Sequence, residues 1–179
     1  MKRSTIALGG EAGNTHYDSV SHCILVAVQT KNQMVAIDPV SERIVQRYDL
    51  PGSDHPHGFD LDQEGRFAFV TGEGNASLLV VDLRTMKVIQ TLKVADGPDV
   101  LAWDAAWHRL YVAAESGVLA AFWLDGRTLR PIAESARLTP TPSRSIHGRI
   151  SCISRSRTWT VTRSFASSSR RGEAFCASF

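Results

Sequence analysis

Two histidines and one aspartate are the side chains of this sequence best suited to chemistry. His55 and His57 lie in the stretch DHPHG, and Asp99 follows 42 residues after His57. An imidazole beside a carboxylate can bind a divalent metal ion or polarise a carbonyl group. The same side chains can instead cap strand ends by hydrogen bonding to loop amides. Both interpretations stay open, because the choice depends on the elements that position these residues.

Aspartates recur along the chain with one period, which indicates an internal repeat. One series opens a turn and a second series closes a strand, and the spacing within each series is 42–44 residues. The first series is Asp18, Asp62 and Asp104, and the second is Asp38, Asp82 and Asp125. Two independent markers with one period predict three copies of a single structural unit.

Each repeat unit has the composition of short β-strands. Val, Ile, Leu, Phe and Tyr fill short runs, and the middle unit has four of them, GFDL, RFAFV, SLLVVD and KVIQTLKV, separated by turn residues. No segment carries a long apolar stripe of helical period. Four antiparallel strands in each unit are typical of a β-propeller blade, whereas the strands of a sandwich do not repeat in this way. We therefore predict an all-β fold with three four-stranded blades over residues 14–52, 57–97 and 99–134.

The repeat resembles the YVTN-type β-propeller family, which is named for a Tyr-Val-Thr-Asn strand end. The stretches 111–114 (YVAA) and 69–72 (FVTG) lie at that position, and AIDPVSERIVQRYDLPG is similar to the family's Asp-Pro turn and last strand. The resemblance covers residues 5–133 and implies a ring of about seven blades, so three blades form an incomplete ring. Family members include bacterial surface or periplasmic propellers and relatives resembling lactonases, which implies a periplasmic or secreted location for an intact relative.

Charge separates the last 41 residues from the rest of the chain. Residues 139–179 contain seven Arg, ten Ser, no Leu and one acidic residue, whereas residues 1–138 contain 13 basic and 17 acidic residues. The body therefore has no basic excess, and no nucleic-acid partner is expected. The three cysteines form neither a disulfide framework nor a zinc motif. No apolar run has the length of a signal peptide or of a membrane span.

The tail, residues 139–179, does not continue the repeat. A further blade is expected from about residue 141, and a reading frame shifted by two bases there can encode a strand, an Asp-Pro turn and a second strand. Our hypothesis is that the tail is frameshifted, and that it is disordered or non-native. The alternative is a genuine basic arm that binds an acidic partner. At the other end the chain is expected to begin inside a blade.

The repeat also suggests where the candidate residues meet. The innermost strand of each propeller blade lines the central channel, and Gly13, His57 and Asp99 each lie five residues before an Asp of the first series. His57 and Asp99 are therefore expected near the channel mouth, with His55 close by. Glu73 lies in a hairpin turn and is expected to be solvated. No cofactor is evident, and a divalent metal ion is possible.

Binding is the function that the sequence favours. No Gly-x-Ser-x-Gly nucleophile motif is present, so we predict a propeller scaffold that binds an unknown protein or small-molecule ligand. The alternative is a lactonase-like or metal-assisted hydrolase that uses His57 and Asp99. Open blade edges also make self-association possible.

Overall fold

The computed structural model describes residues 5–135, 151–155 and 158–162 of the chain. Two compact units are distinguished, Met1–Thr139 and Pro140–Phe179. The described residues include no helix that is long and apolar enough to cross a membrane. Helical structure in the first unit consists of the single 3₁₀ turns Gln29–Lys31 and Glu73–Asn75 within its described residues.

The first unit contains three antiparallel sheets of four strands in its described part, and in each sheet the strands lie in chain order. Blade 1 consists of β1 (Ala12–Asp18), β2 (Cys23–Val28), β3 (Gln33–Asp38) and β4 (Arg43–Asp49). Blade 2 consists of β5 (Pro56–Asp62), β6 (Phe67–Gly72), β7 (Ser77–Asp82) and β8 (Lys87–Lys93). Blade 3 consists of β9 (Pro98–Asp104), β10 (Arg109–Ala114), β11 (Leu119–Asp125) and β12 (Thr128–Ser135).

The repeated aspartates fold the tight turns between these strands. Asp18 accepts a hydrogen bond from the Val20 amide at 3.1 Å, and Asp104 accepts one from the Ala106 amide at the same distance. Asp82 accepts one from the Arg84 amide at 2.9 Å. A carboxylate that binds the amide two residues later holds the backbone in a turn, which is why the aspartates recur with the repeat.

The blades pack face to face, and their first strands lie innermost. β5 contacts both β1 and β9. Side chains alternate along β6, so Ala68 and Val70 join a core shared with blade 1, and Phe67 and Phe69 join a core shared with blade 3. Successive side chains of a strand point to opposite faces of the sheet. Because both faces of β6 are covered by neighbouring blades, the side chains on both faces are apolar. The predicted all-β fold with three four-stranded, propeller-like blades is confirmed.

The outer face of blade 1 carries a third core. Val26, Val28, Val35 and Ile37 are buried there, and Ile6 and Leu8 of the N-terminal segment pack against the same cluster together with Ile24 and Ile44.

Most of the predicted tail lies outside the described residues. In the second unit the structure describes an antiparallel hairpin, β13 (Ser151–Arg155) paired with β14 (Thr158–Thr162). The frameshift stays a prediction, because it concerns the nucleotide sequence.

A buried ion pair joins blade 1 to blade 2. Arg66 Nη1 and Nη2 donate to Oδ1 and Oδ2 of Asp18 at 2.6 and 2.8 Å. The Asp18 side chain is 2% exposed and the Arg66 side chain 12%. The hydrogen bonds from Arg66 hold the pKa of Asp18 well below its ordinary value, and the bond to Asp18 raises the pKa of Arg66. A two-pronged bond of this kind is geometrically specific, because both hydrogen bonds form together in one relative orientation of the two groups.

Replacing Arg66 with Ala leaves the Asp18 carboxylate buried without its cation. We expect the Arg66→Ala variant to lose about 3–5 kcal/mol of the free energy of unfolding, measured by urea denaturation. Arg84→Ala is the matched control, because the Arg84 side chain is 53% exposed and lies 3.9 Å from Asp82. It should cost less than about 1 kcal/mol. Equal losses in the two variants would contradict a structural role for the pair.

The same pair predicts acid sensitivity with a defined sign. The pKa of Asp18 is lower in the folded chain than in the unfolded chain. Its contribution to stability is therefore complete above the unfolded pKa of about 4 and is lost as the pH falls towards the folded value. We expect the free energy of unfolding to fall more steeply between about pH 5 and pH 2 in the wild type than in Asp18→Asn. Parallel pH profiles would refute this assignment.

Candidate functional site

His57 lies between two carboxylates at one end of the innermost strands. Its Nε2 is 3.4 Å from Asp99 Oδ1, and its Nδ1 is 3.7 Å from Glu73 Oε2. The three side chains come from the starts of β5 and β9 and from the turn after β6. They are 31%, 43% and 38% exposed for His57, Asp99 and Glu73. The arrangement is an open carboxylate–imidazole–carboxylate group that solvent and small ligands can reach.

Glycines let the backbones of the innermost strands approach closely enough to form this group. A methyl group on Gly58 would overlap the carbonyl oxygen of Asp99, and one on Gly13 would lie 2.8 Å from the carbonyl oxygen of His57. Thr71 Oγ1 donates to the Gly58 carbonyl at 3.1 Å and holds the start of β5 in place. Only residues without a Cβ fit at these two contacts, so the glycines determine how near His57 comes to Asp99.

His55 does not join the group. Its Nδ1 lies 2.9 Å from Asp54 Oδ1, and its backbone amide donates to Asn32 Oδ1 at 3.0 Å. Within the described residues, no hydrogen bond or ion pair connects His55 with His57. The backbone of His55 has a φ of +50°, so the turn directs the two histidines, which are only two residues apart in sequence, to different neighbours.

Glu73, which the sequence predicts to be a solvated turn residue, is the third member of the group, with its Oε2 3.7 Å from His57 Nδ1. Its position follows from strand register, since Pro56 pairs with Gly72 in the β5–β6 ladder. The Glu73 amide then donates to the carbonyl of His55 at 3.1 Å. Counting residue pairs along β5 and β6, from the turn that joins them to the other end of the two strands, would have placed Glu73 beside His57.

The end of the blades that carries His57 is acidic. We call it the mouth end, defined by the turns at residues 50–55, 73–76, 94–97 and 115–118. Its carboxylates include Asp54, Glu73, Asp96, Asp99 and Glu115. Lys93 is a cation at this end, and its Nζ donates to the Asn75 carbonyl at 2.8 Å. Carboxylates accept hydrogen bonds and do not donate them, so the mouth end is suited to ligands that bring donors.

A divalent metal ion at the group of His57 stays a prediction. Across the described residues, no set of three or more His, Cys, Asp or Glu side chains is arranged to hold a metal ion. What the group offers is an imidazole that can donate or accept a proton, with Asp99 Oδ1 3.4 Å from one ring nitrogen and Glu73 Oε2 3.7 Å from the other.

Comparisons with known proteins identify the fold. No protein-family model matches the sequence, and no curated protein matches it significantly. Among solved structures, the periplasmic gluconolactonase PpgL of Pseudomonas aeruginosa is 18% identical, with a TM-score of 0.58 over 71% of this chain and 41% of that one. The Cps50 (Swd1) β-propeller domain of Myceliophteria thermophila is 19% identical, with a TM-score of 0.53 over 65% of this chain and 42% of that one.

A third solved structure, the hydrazine synthase of Kuenenia stuttgartiensis, is 17% identical, with a TM-score of 0.56 over 63% of this chain and 32% of that one. The chain thus spans less than half the length of these three structures. At such low identity the likeness concerns the fold alone, and the neighbours have unrelated activities on that fold. The fold of the described blades is that of a β-propeller.

Gly58 provides a direct test of how the group at His57 is assembled. An added methyl group must displace the Asp99 carbonyl, so we expect Gly58→Ala to lower the free energy of unfolding by about 1–3 kcal/mol and to separate His57 from Asp99. Loss of the nuclear Overhauser contact between the two side chains would report the separation. Gly117→Asn is the control, because Gly117 has a φ of +83° above open space and Asn tolerates that conformation. A variant Gly58→Ala with wild-type stability and contact would refute the close approach.

Proposed function

We propose that this chain is part of a β-propeller binding scaffold that recognises its ligand at the mouth end. The observation that carries the proposal is the accessible group of His57, Glu73 and Asp99, which combines side chains of blades 2 and 3. Function in propellers resides in loops and channel residues attached to a common fold. The resemblance of the repeat to YVTN-type propellers supports the same role, and it extends the proposal to a periplasmic or secreted location for an intact relative.

The chemistry of the group determines the class of ligand. Two carboxylates accept hydrogen bonds, and the imidazole between them donates or accepts according to its tautomer. A ligand with several hydroxyl donors, such as a sugar, satisfies all three side chains. Since the group is open to solvent, binding should be readily reversible. The group favours a small-molecule ligand over a protein partner, because small ligands suit a site formed by three side chains. A protein partner would bind other surfaces of the blades.

A hydrolase is the second candidate, and one observation favours it. Asp99 lies 3.4 Å from the Nε2 of His57, and a histidine with a carboxylate on one nitrogen acts as a general base when water reaches its other nitrogen, which here is the Nδ1 that lies 3.7 Å from Glu73. A lactone is the substrate class that the resemblance implies. Catalysis requires further groups that stabilise the oxyanion, and blades beyond the three described ones would have to supply them. A metal-assisted hydrolase would likewise require additional metal ligands from those further blades.

An experiment with two arms distinguishes binding from hydrolysis, and its first arm is a titration with a sugar. Methyl glucoside is added to the full chain, and the imidazole resonances of His57 are followed by NMR. We expect them to shift in a saturable way, and we expect His57→Gln to weaken binding at least tenfold, since it removes the hydrogen bonds of the imidazole to the ligand and leaves the ligand's groups unpaired. His22→Gln is the control, because His22 contacts Tyr17 at the opposite end of blade 1. Unchanged binding in His57→Gln would refute the proposal.

Glucono-1,5-lactone forms the second arm of the experiment. Its spontaneous hydrolysis is measured with and without the protein. Binding without acceleration supports the scaffold, whereas a rate increase that disappears in His57→Gln supports the hydrolase. A rate increase that both histidine variants retain would contradict a role for His57 in the reaction.

A further inference from the structure

The contact between blades 1 and 2 is closed by two side chains at the end opposite the mouth. We call this the far end, defined by the turns at residues 19–22, 63–66 and 105–108. Arg66 binds the buried Asp18, as described above. Beside it, Gln63 accepts hydrogen bonds from the amide and hydroxyl of Ser19, and its Nε2 donates to the Tyr17 carbonyl at 3.1 Å. Both side chains reach across from blade 2 to blade 1.

The next contact, between blades 2 and 3, has a similar backbone conformation at the corresponding turn. It has no counterpart to the side chains of Arg66 and Gln63. Counting one repeat forward, Arg66 corresponds to His108 and Gln63 to Ala105. The backbone at the two turns matches closely, since Arg66 and His108 have φ values of +61° and +49°. Their carbonyls also accept equivalent hydrogen bonds, from Leu83 at 3.0 Å and from Leu124 at 2.9 Å. The difference between the two contacts therefore lies in side-chain length.

An open cleft lies where the two longer side chains would have been. It has a volume of about 420 Å³, and both replacements, Ala105 and His108, line it. Asp62, Glu64 and Asp125 contribute carboxylates, and Phe67 and Trp123 contribute aromatic rings.

Asp62 is the residue that indicates what the cleft binds. It ends the innermost strand of blade 2, as Asp18 ends that of blade 1, and it is 4% exposed. Its Oδ1 accepts a hydrogen bond from the Gly65 amide at 3.0 Å. No side chain in the described part of the chain donates to Oδ2. A buried carboxylate is stable when a cation pairs with it, and the equivalent carboxylate in blade 1 has a guanidinium.

The surrounding charges leave this position free for a cation. Arg127 binds another carboxylate, since its Nη2 donates to Asp82 at 2.7 Å, and its guanidinium lies 5.8 Å from the Phe67 ring centre. Asp125 is partly balanced by Arg130, whose Nε is 3.4 Å away. Asp62 and Glu64 have no such partner among the described residues. Trp123, the other aromatic ring of the cleft, adds a further attraction, because cations bind to ring faces.

We propose that the cleft between blades 2 and 3 is a binding site for a guanidinium group, which occupies the position that Arg66 fills between blades 1 and 2. The planar guanidinium matches a carboxylate with two parallel hydrogen bonds, which an ammonium group cannot make. The inference is independent of the proposed function at the mouth end, since it concerns the other end of the blades and other residues.

The test uses the full chain and three short peptides at constant ionic strength. Ac-Gly-Arg-Gly-NH₂ carries the guanidinium, the citrulline analogue has its shape without the charge, and the lysine analogue has the charge without the fork. We expect the arginine peptide to shift the amide resonances of Gly65, Phe67 and Leu124, and to bind at least tenfold more tightly than the other two. Agmatine in a further arm shows whether the free small molecule is sufficient. Equal binding of the arginine and citrulline peptides would overturn the proposal.

His108→Arg is the decisive variant, because it restores the blade 2 side chain in blade 3. Its own guanidinium should fill the cleft, abolish binding of the arginine peptide and raise the Tm by about 2–4 °C. His22→Arg is the matched control at the same turn position of blade 1, where it should leave peptide binding unchanged. Asp62→Asn should weaken binding at least tenfold. If Asp62→Asn fails to fold, His108→Arg still decides, since undiminished binding in that variant would exclude the cleft as the site.

Discussion

A four-stranded sheet with two apolar faces must be covered on both sides, and the described structure follows from this constraint. Blade 2 meets it on both faces, with Ala68 and Val70 buried against blade 1 and Phe69 against blade 3. Burial of apolar surface provides the main driving force, but it is not directional. The polar contacts between blades are directional, because the two hydrogen bonds of the Asp18–Arg66 pair form together in one relative orientation of the two groups.

Stacking in this way gives the molecule two chemically different ends. At the mouth end the starts of the innermost strands bring His57 and Asp99 together, with glycine at the close contacts. At the far end the aspartate turns lie between blades, where long side chains from one blade reach the next. The backbone repeats at both ends, so the chemistry differs only through the side chains at matching positions. His108 and Ala105, at the positions of Arg66 and Gln63 in the preceding repeat, show how two shorter side chains leave an open cleft in place of a closed contact.

Prediction succeeded where the pattern was local and repeated. The paired aspartate series predicted the three blades, because a carboxylate that binds the amide two residues later is a local interaction visible in sequence. His57 and Asp99 were placed together by the same period. His55 lies in a turn of the mouth end, as the sequence predicted, but its turn conformation with φ of +50° directs its side chain to Asp54 and not to His57. Glu73 was missed because its place depends on the register of the β5–β6 ladder.

The sequence by itself therefore determined the fold class, the number of described blades and the meeting of His57 with Asp99 at one end of neighbouring blades. Strand alternation and turn chemistry depend on residues close in the chain, and both leave a period that can be counted. The tertiary structure alone decided which side chains touch across blades, which carboxylates are buried and where a cleft remains. These features depend on distances between residues more than 40 positions apart, such as Asp18 and Arg66. Packing sets such distances to a few tenths of an ångström, and no periodic pattern records them.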